Sequence, residues 1–273
     1  MSEAVRVAAV QMNSGTDAPE NRRVAGELLQ RAADQGARIA VLPENFSIMA
    51  GRDEERRAVA EVDGSGPVQD FLARVAQQLR MWIVAGTTPL RRPGSDYRLA
   101  TACLVYDATG QRVARYDKIH LFDAELPDQR ESYRESAHFA PGSTPVVLDT
   151  PAGRLGLSVC YDMRFPELYR ALVADGAEWF TMPSAFTVPT GRAHWEPLLR
   201  ARAIENLCPV VAAAQWGVHA NGRGTWGHSM IIDHWGRVLA ELDQGVGVIT
   251  AEFDRDAQRE ARRTFPALTH RVL

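Results

Sequence analysis

Short apolar runs alternate with stretches of helical spacing along the whole chain. Residues 5–12 are almost unbroken apolar sequence, as expected of a strand buried on both faces. Over 21–35, Val24, Leu28, Leu29 and Ala32 fall at helical spacing, and Gly36 stands where such a helix would stop. Strands are predicted over 38–43 and 82–86, with a helix over 68–79 between them. Residues 99–107 and 111–118 flank Ala108-Thr109-Gly110 as a hairpin. A polar loop over 119–145 follows, with Pro127, Pro141 and Gly142; loops of that length are uncommon unless functional. Beyond it the pattern predicts strands over 154–160, 179–182 and 210–214, separated by helices over 165–174 and 195–206. Three shorter strands, over 228–233, 237–242 and 246–252, precede a helix over 254–263. The alternation of the first half returns loosely in the second, without a linker or low-complexity segment. An α/β chain with more than one sheet, or one large mixed sheet, is the expectation.

Composition narrows the function classes. With 273 residues, 45% of them hydrophobic, the chain can bury a large core. A net charge of −3 and scattered arginines argue against nucleic acid as a partner. No apolar run approaches the ~18 residues of a membrane span, and no signal-peptide pattern precedes the first strand. Three cysteines do not make a disulfide framework, so a reducing compartment, the cytoplasm, is expected.

One composition detail does more. Of the 31 lysines and arginines, the only lysine is Lys118, which leaves 30 arginines. Arginine has replaced lysine wherever a generic positive charge suffices. A compact ammonium is irreplaceable where a point charge must fit a small space. Lys118 ends an apolar strand and precedes the loop Ile119-His120-Leu121-Phe122, which favours a chemical role. Cys160 ends the apolar run Arg154-Leu155-Gly156-Leu157-Ser158-Val159 and precedes a predicted helix, whose N-terminus would favour a thiolate. The position suits a nucleophile or, equally, a third core cysteine beside Cys103 and Cys208. Glu44 follows the strand Ile39-Ala40-Val41-Leu42, at the kind of strand end where ligands collect. Apolar walls there would raise its pKa toward that of a general base; a solvated loop carboxylate is the alternative. A thiol, a carboxylate and an ammonium at three strand ends suffice for acyl transfer. Neither a Ser-centred elbow nor CxxC or HExxH metal spacing is present, so no metal or organic cofactor is expected.

Leu42-Pro43-Glu44-Asn45, Tyr116-Asp117-Lys118-Ile119-His120-Leu121-Phe122 and Val159-Cys160-Tyr161-Asp162-Met163-Arg164-Phe165-Pro166-Glu167 resemble, in order and spread, the three signatures of the nitrilase (carbon–nitrogen hydrolase) superfamily. The resemblance covers nearly the whole chain and implies a single αββα sandwich domain over 1–273 with a Glu44–Lys118–Cys160 triad. It implies a backbone oxyanion donor at Tyr161 and an accessory carboxylate at Glu135, with Glu131 as a competing assignment. The stretches Pro183-Ser184-Ala185-Phe186-Thr187, Ala193-His194-Trp195-Glu196 and Ala212-Ala213-Ala214-Gln215 resemble the Nit branch. That branch holds amidases of deaminated glutathione and omega-amidases of 2-oxoglutaramate, and the resemblance leans to the former. The partner implied is a small amide bearing carboxylates, so Arg164, Phe186, Thr187, Arg192 and His194 are candidates to touch it. Arg164 could instead be a structural ion-pair partner and His194 a residue of the cap region. By analogy with the family a homodimer or higher homo-oligomer is expected. A catalytically inactive member serving as a binding module is the reading from a different class.

Overall fold

The computed structural model describes residues 4–94, 97–125 and 132–272. Its first half runs β1 (Arg6–Gln11), α1 (Ala18–Asp34), β2 (Ile39–Val41), α2 (Asp53–Val59), α3 (Pro67–Leu79) and β3 (Trp82–Val84). β1, β2 and β3 lie parallel, with Ala8 beside Ala40 and Ala40 beside Ile83. β4 (Thr88–Leu90), β5 (Ala100–Tyr106) and β6 (Arg112–Asp117) extend this sheet by antiparallel pairing. The hairpin expected about Thr109-Gly110 joins β5 to β6. Asp107 Oδ1 fixes its turn by accepting from the N–H groups of Thr109 and Gln111 at 2.9 and 3.0 Å.

The region expected as one long loop holds structure of its own. β7 (Asp123–Glu125) and β8 (Ser132–Arg134) pair antiparallel and lead into a 3-10 turn at Glu135–Ala137. Asp123 pins that turn by accepting from the Ser136 N–H at 3.0 Å and hydroxyl at 2.6 Å. These are side-chain clamps without hydrophobic periodicity, so the apolar pattern could not reveal them. Glu131 lies outside the described residues.

The second half repeats the plan with β9 (Val147–Thr150), β10 (Gly153–Leu157), α4 (Pro166–Ala174), β11 (Trp179–Thr181), α5 (Val188–Asn206) and β12 (Val210–Ala212). β10, β11 and β12 are parallel neighbours. A hairpin of β13 (Trp216–Val218) and β14 (Gly224–Trp226) follows. β15 (Ser229–Ile232) and β16 (Val238–Leu242) complete the second sheet. β17 (Gly247–Glu252) crosses back to pair antiparallel with β1 before α6 (Arg255–Thr264). α5 starts at Val188 rather than Trp195. Pro189 occupies its first turn, where a missing N–H is harmless. Gly191 is the point where the Trp226 side chain crosses the helix, leaving no space for a Cβ.

Alternation along β1 defines the layers. Val7 and Ala9 face the second sheet, in one core with Leu155, Leu157, Phe180 and Val210. Ala8 and Val10 face outward onto Leu28, Leu29 and Ala32 of α1 and Phe71 and Leu72 of α3. On the far side Tyr169 and Leu172 of α4 and Trp195 and Leu199 of α5 cover the second sheet. The result is a helix–sheet–sheet–helix sandwich, as the resemblance implied. Among the described residues no helix is long and apolar enough to cross a membrane.

Candidate active site

The fold places Glu44 just after β2, Lys118 directly after β6 and Cys160 just beyond β10. All three are buried, at 4%, 2% and 8% exposure. The Lys118 ammonium donates to Glu44 Oε1 at 2.8 Å and to both oxygens of Glu135, at 2.8 and 3.1 Å. Glu135 is itself held in place, since its Oε2 accepts from the Phe122 N–H at 2.7 Å. The Cys160 thiol faces Glu44, the Lys118 charge and the Ala185 N–H. The four polar groups expected from separate stretches of sequence therefore meet at one point.

Backbone geometry aims the thiol. Cys160 has φ of 50°, a left-handed conformation that costs a non-glycine residue about 1–2 kcal/mol. It persists because the surroundings fix it. The Cys160 N–H donates to the Pro183 carbonyl at 2.9 Å. Asp162 Oδ2 accepts from the Val159 N–H at 2.8 Å and the Tyr116 hydroxyl at 2.7 Å. Its Oδ1 contacts the His120 N–H at 3.0 Å and His120 Nδ1 at 2.7 Å. Asp162, fully buried, thus ties the turn bearing Cys160 to the strand end bearing Lys118. Glu44 has similar support: Gln215 donates to its carbonyl at 3.0 Å and to the Ser14 hydroxyl at 2.8 Å. Gly86, at φ of 46°, lies so close behind that a Cβ would strike the Pro43 carbonyl.

Two electrostatic expectations are corrected. Burial pushes the Glu44 carboxyl up, but the Lys118 charge and hydrogen bond reverse this and hold it below the ordinary carboxylate range. The thiol does not sit at a helix N-terminus, because a 3-10 turn over Cys160–Arg164 separates it from α4. Burial and the Glu44 charge push the Cys160 thiol well up, against the opposing pull of Lys118. Lys118 loses some affinity for its proton to burial, yet Glu135 and Glu44 together hold it firmly protonated. The resting state is a neutral thiol beside an ionised carboxylate, rather than a preformed thiolate. Cys103 and Cys208 are fully buried, their thiols raised to about 12 chiefly by burial, as suits core residues.

The triad opens into a cavity of about 450 Å³. Of the substrate candidates, Arg164, Phe186 and Thr187 line it; Arg192 and His194 are not among the lining residues. His194 instead meets Arg164, Nδ1 to Nη1 at 3.2 Å, and Arg192 lies over the Trp226 ring at 5.9 Å. Tyr161 lines the wall next to the thiol. The sequence reading missed Arg56, Asn221 and Arg223, which also line the cavity. Arg223 sits between Gly222 and Gly224, a pattern that reads only as a turn, and one arginine among 30 carries no mark. Among the described residues no group of three His, Cys, Asp or Glu is arranged to hold a metal.

A buried thiol, carboxylate and ammonium at the strand ends of an αββα sandwich describe a hydrolase of carbon–nitrogen bonds. The carbon-nitrogen hydrolase family matches residues 6–263, and the chain belongs to it. Within it the chain falls in the Nit branch of the nitrilase superfamily. It is 42% identical to a deaminated glutathione amidase of Synechocystis over 97% of both chains. It is 40% identical to the deaminated glutathione amidase of Yersinia enterocolitica, over 97% of this chain and 92% of that one. The NitFhit protein of C. elegans superposes with a TM-score of 0.90 at 37% identity, over 98% of this chain and 65% of that one.

Proposed function

We propose that the protein hydrolyses the amide of deaminated glutathione, releasing 2-oxoglutarate and Cys-Gly. The observation that carries this reading is the charge of the cavity. Lys118 is balanced by Glu44 and Glu135, whereas Arg56, Arg134, Arg164 and Arg223 leave the remaining wall positive. Such a wall suits an amide that carries carboxylates, and the Synechocystis and Yersinia relatives are amidases of one such compound.

The mechanism follows from the resting protonation states. Glu44 takes the thiol proton as Cys160 attacks the amide carbonyl, so charge passes from Glu44 to the carbonyl oxygen. The Lys118 ammonium and the Tyr161 N–H hold that oxyanion, a role worth several kcal/mol in comparable sites. Glu44 returns the proton to the leaving amine, which departs as Cys-Gly and leaves the 2-oxoglutaryl thioester on Cys160. Glu44 then activates water, which releases the acid and regenerates the thiol. Glu135 keeps Lys118 charged and aimed throughout.

The test is a turnover assay with deaminated glutathione, 2-oxoglutaramate and an aliphatic nitrile, with Cys160→Ala as the inactive reference. Deaminated glutathione is expected to give the highest kcat/KM. A higher value for 2-oxoglutaramate, or turnover by Cys160→Ala, overturns the proposal. We place the protein in the cytoplasm as a homodimer. Three free cysteines support the first. An apolar patch of Ile204, Trp235 and Phe265, at 49%, 58% and 56% exposure, supports self-association. A monomer in sedimentation at micromolar concentration contradicts the dimer.

A further inference from the structure

Arg223 and Arg56 are placed as though waiting for an anion. Arg223 leaves the turn between β13 and β14 and enters the cavity beside Cys160. Its Nη2 donates to the Ala185 carbonyl at 2.6 Å, and its guanidinium lies 5.2 Å from the Tyr133 ring centre. Among the described residues no carboxylate forms an ion pair with it. Its Nε, shut off from water, has no hydrogen-bond partner among the described residues. Arg56 comes from α2 and packs 5.2 Å over Phe139. Among the described residues its ion pair is with Asp53, at 3.4 Å, a carboxylate that also serves Arg57 at 2.6 Å and His138 at 3.0 Å, and the Glu135 charge acts on it as well. Burial holds the Arg56 guanidinium below its ordinary value, and the Arg223 charge acts in the same direction. Two guanidiniums that repel each other across a partly closed cavity are stabilised when a carboxylate bridges them.

We propose that Arg223 and Arg56 together bind the carboxylate adjoining the 2-oxo group of the acyl half, the end remote from the scissile carbonyl. This rests on the substrate reading above. The acyl half remains attached to Cys160 as the thioester, so its remote carboxylate must lie within reach of Sγ. Four carbon–carbon bonds of ~1.5 Å allow a separation of about 5 Å between the carbonyl carbon and that carboxylate carbon. Arg223 meets this requirement: it is bonded to Ala185, whose N–H faces the thiol, and its charge is felt at Glu44. Arg164 lies over Tyr161 and Phe186 and meets His194, and is left for the leaving amine. Because Arg223 also fixes Ala185, a bound carboxylate helps to set the residue that faces the nucleophile. Arg223 is therefore a specificity residue that also positions the thiol.

Calorimetry with 2-oxoglutarate and levulinate tests the subsite. Levulinate keeps the ketone and the carboxylate at the Cys160 end, but a methyl replaces the remote carboxylate. The wild-type protein is expected to prefer 2-oxoglutarate by ~100-fold. Arg223→Gln and Arg56→Gln should each reduce that preference at least ~10-fold, mainly by weakening 2-oxoglutarate. Arg223→Lys, which keeps charge without the fork, should fall between. Equal wild-type affinity for the two acids overturns the proposal, and so does a preference unchanged in Arg223→Gln. If Arg223→Gln does not melt cooperatively, an unchanged preference in Arg56→Gln or Arg223→Lys overturns it equally. A protein that shows the preference but does not turn over deaminated glutathione keeps the subsite and loses the substrate assignment.

Discussion

Replacing Lys118 by arginine preserves the charge, yet the geometry predicts a loss of ~100-fold or more in kcat. The ammonium lies within 2.8–3.1 Å of three carboxylate oxygens on two residues and is only 2% exposed. A guanidinium matches one carboxylate with two parallel hydrogen bonds, so it would settle onto Glu135 and withdraw from Glu44. Its plane would then occupy the space into which the carbonyl oxygen must move. Loss of one oxyanion donor typically costs 10²–10³ in kcat, about 2.7–4 kcal/mol. The effect should fall on kcat more than KM, because the contact strengthens as charge develops on the oxygen. Lys118→Ala should additionally destabilise the fold. It leaves two buried carboxylates without their shared cation, and breaking a buried pair costs about 3–5 kcal/mol. Steady-state turnover of deaminated glutathione reads the first effect and urea unfolding the second. A Lys118→Arg protein with more than about a tenth of wild-type kcat, ~1.4 kcal/mol of barrier, refutes the oxyanion role.

Glu44→Gln keeps the shape but cannot accept the thiol proton, so kcat should fall ~10²-fold or more; near-normal kcat removes Glu44 as the base. Glu44 is held below its ordinary value of 4.5, and its ionised form is the active one. The acid limb of kcat/KM should therefore lie below pH 4.5, and a midpoint above pH 5 contradicts the Lys118 pairing. The Cys160 thiol is raised above 9.0, so alkylation by iodoacetamide in the free enzyme should show no thiolate midpoint below pH 9. Asp162→Asn retains one carbonyl oxygen for four contacts and should cost about 3 kcal/mol or more in urea unfolding, with kcat reduced as well. A change under ~0.5 kcal/mol would mean that Asp162 does not hold the two strand ends together.

The legible parts were those written in apolar periodicity or in rare chemistry. β1, β2 and β10 are buried on both faces apart from Arg6 and Arg154, so each reads as a nearly continuous apolar run whatever surrounds it. Lys118 stood out because every other basic position had become arginine. Arg56 was hidden for the same reason, and α2 with it. That helix is short, has no buried residue and starts at Asp53, beside the Arg52–Glu55 pair at its first turn. The pKa directions were misread because the decisive neighbour of Glu44 lies 74 positions away, at Lys118. Apolar walls alone would raise the carboxyl; the ammonium delivered by another strand reverses the sign. The helix expected over 165–174 is α4, opened by Pro166; the residues between it and Cys160 form a tighter turn, so the thiol does not lie at its N-terminus.

The pairing of β17 with β1 has a consequence for the order in which the molecule is assembled. Arg6 lies opposite Glu252 and Gln11 opposite Gly247, so one edge of the first sheet is closed by a strand made after the other sixteen among the described residues. Until then β1 exposes a row of unpaired N–H and C=O groups along an apolar strand, a template for pairing with a neighbouring chain. Gln11 receives Ser229 from the second sheet and reaches Gly245, so the two sheets are also clasped late. Nascent chains halted before residue 247 should therefore be far more prone to aggregate than chains that include β17. The two sheets are in this sense completed together, when β17 reaches β1.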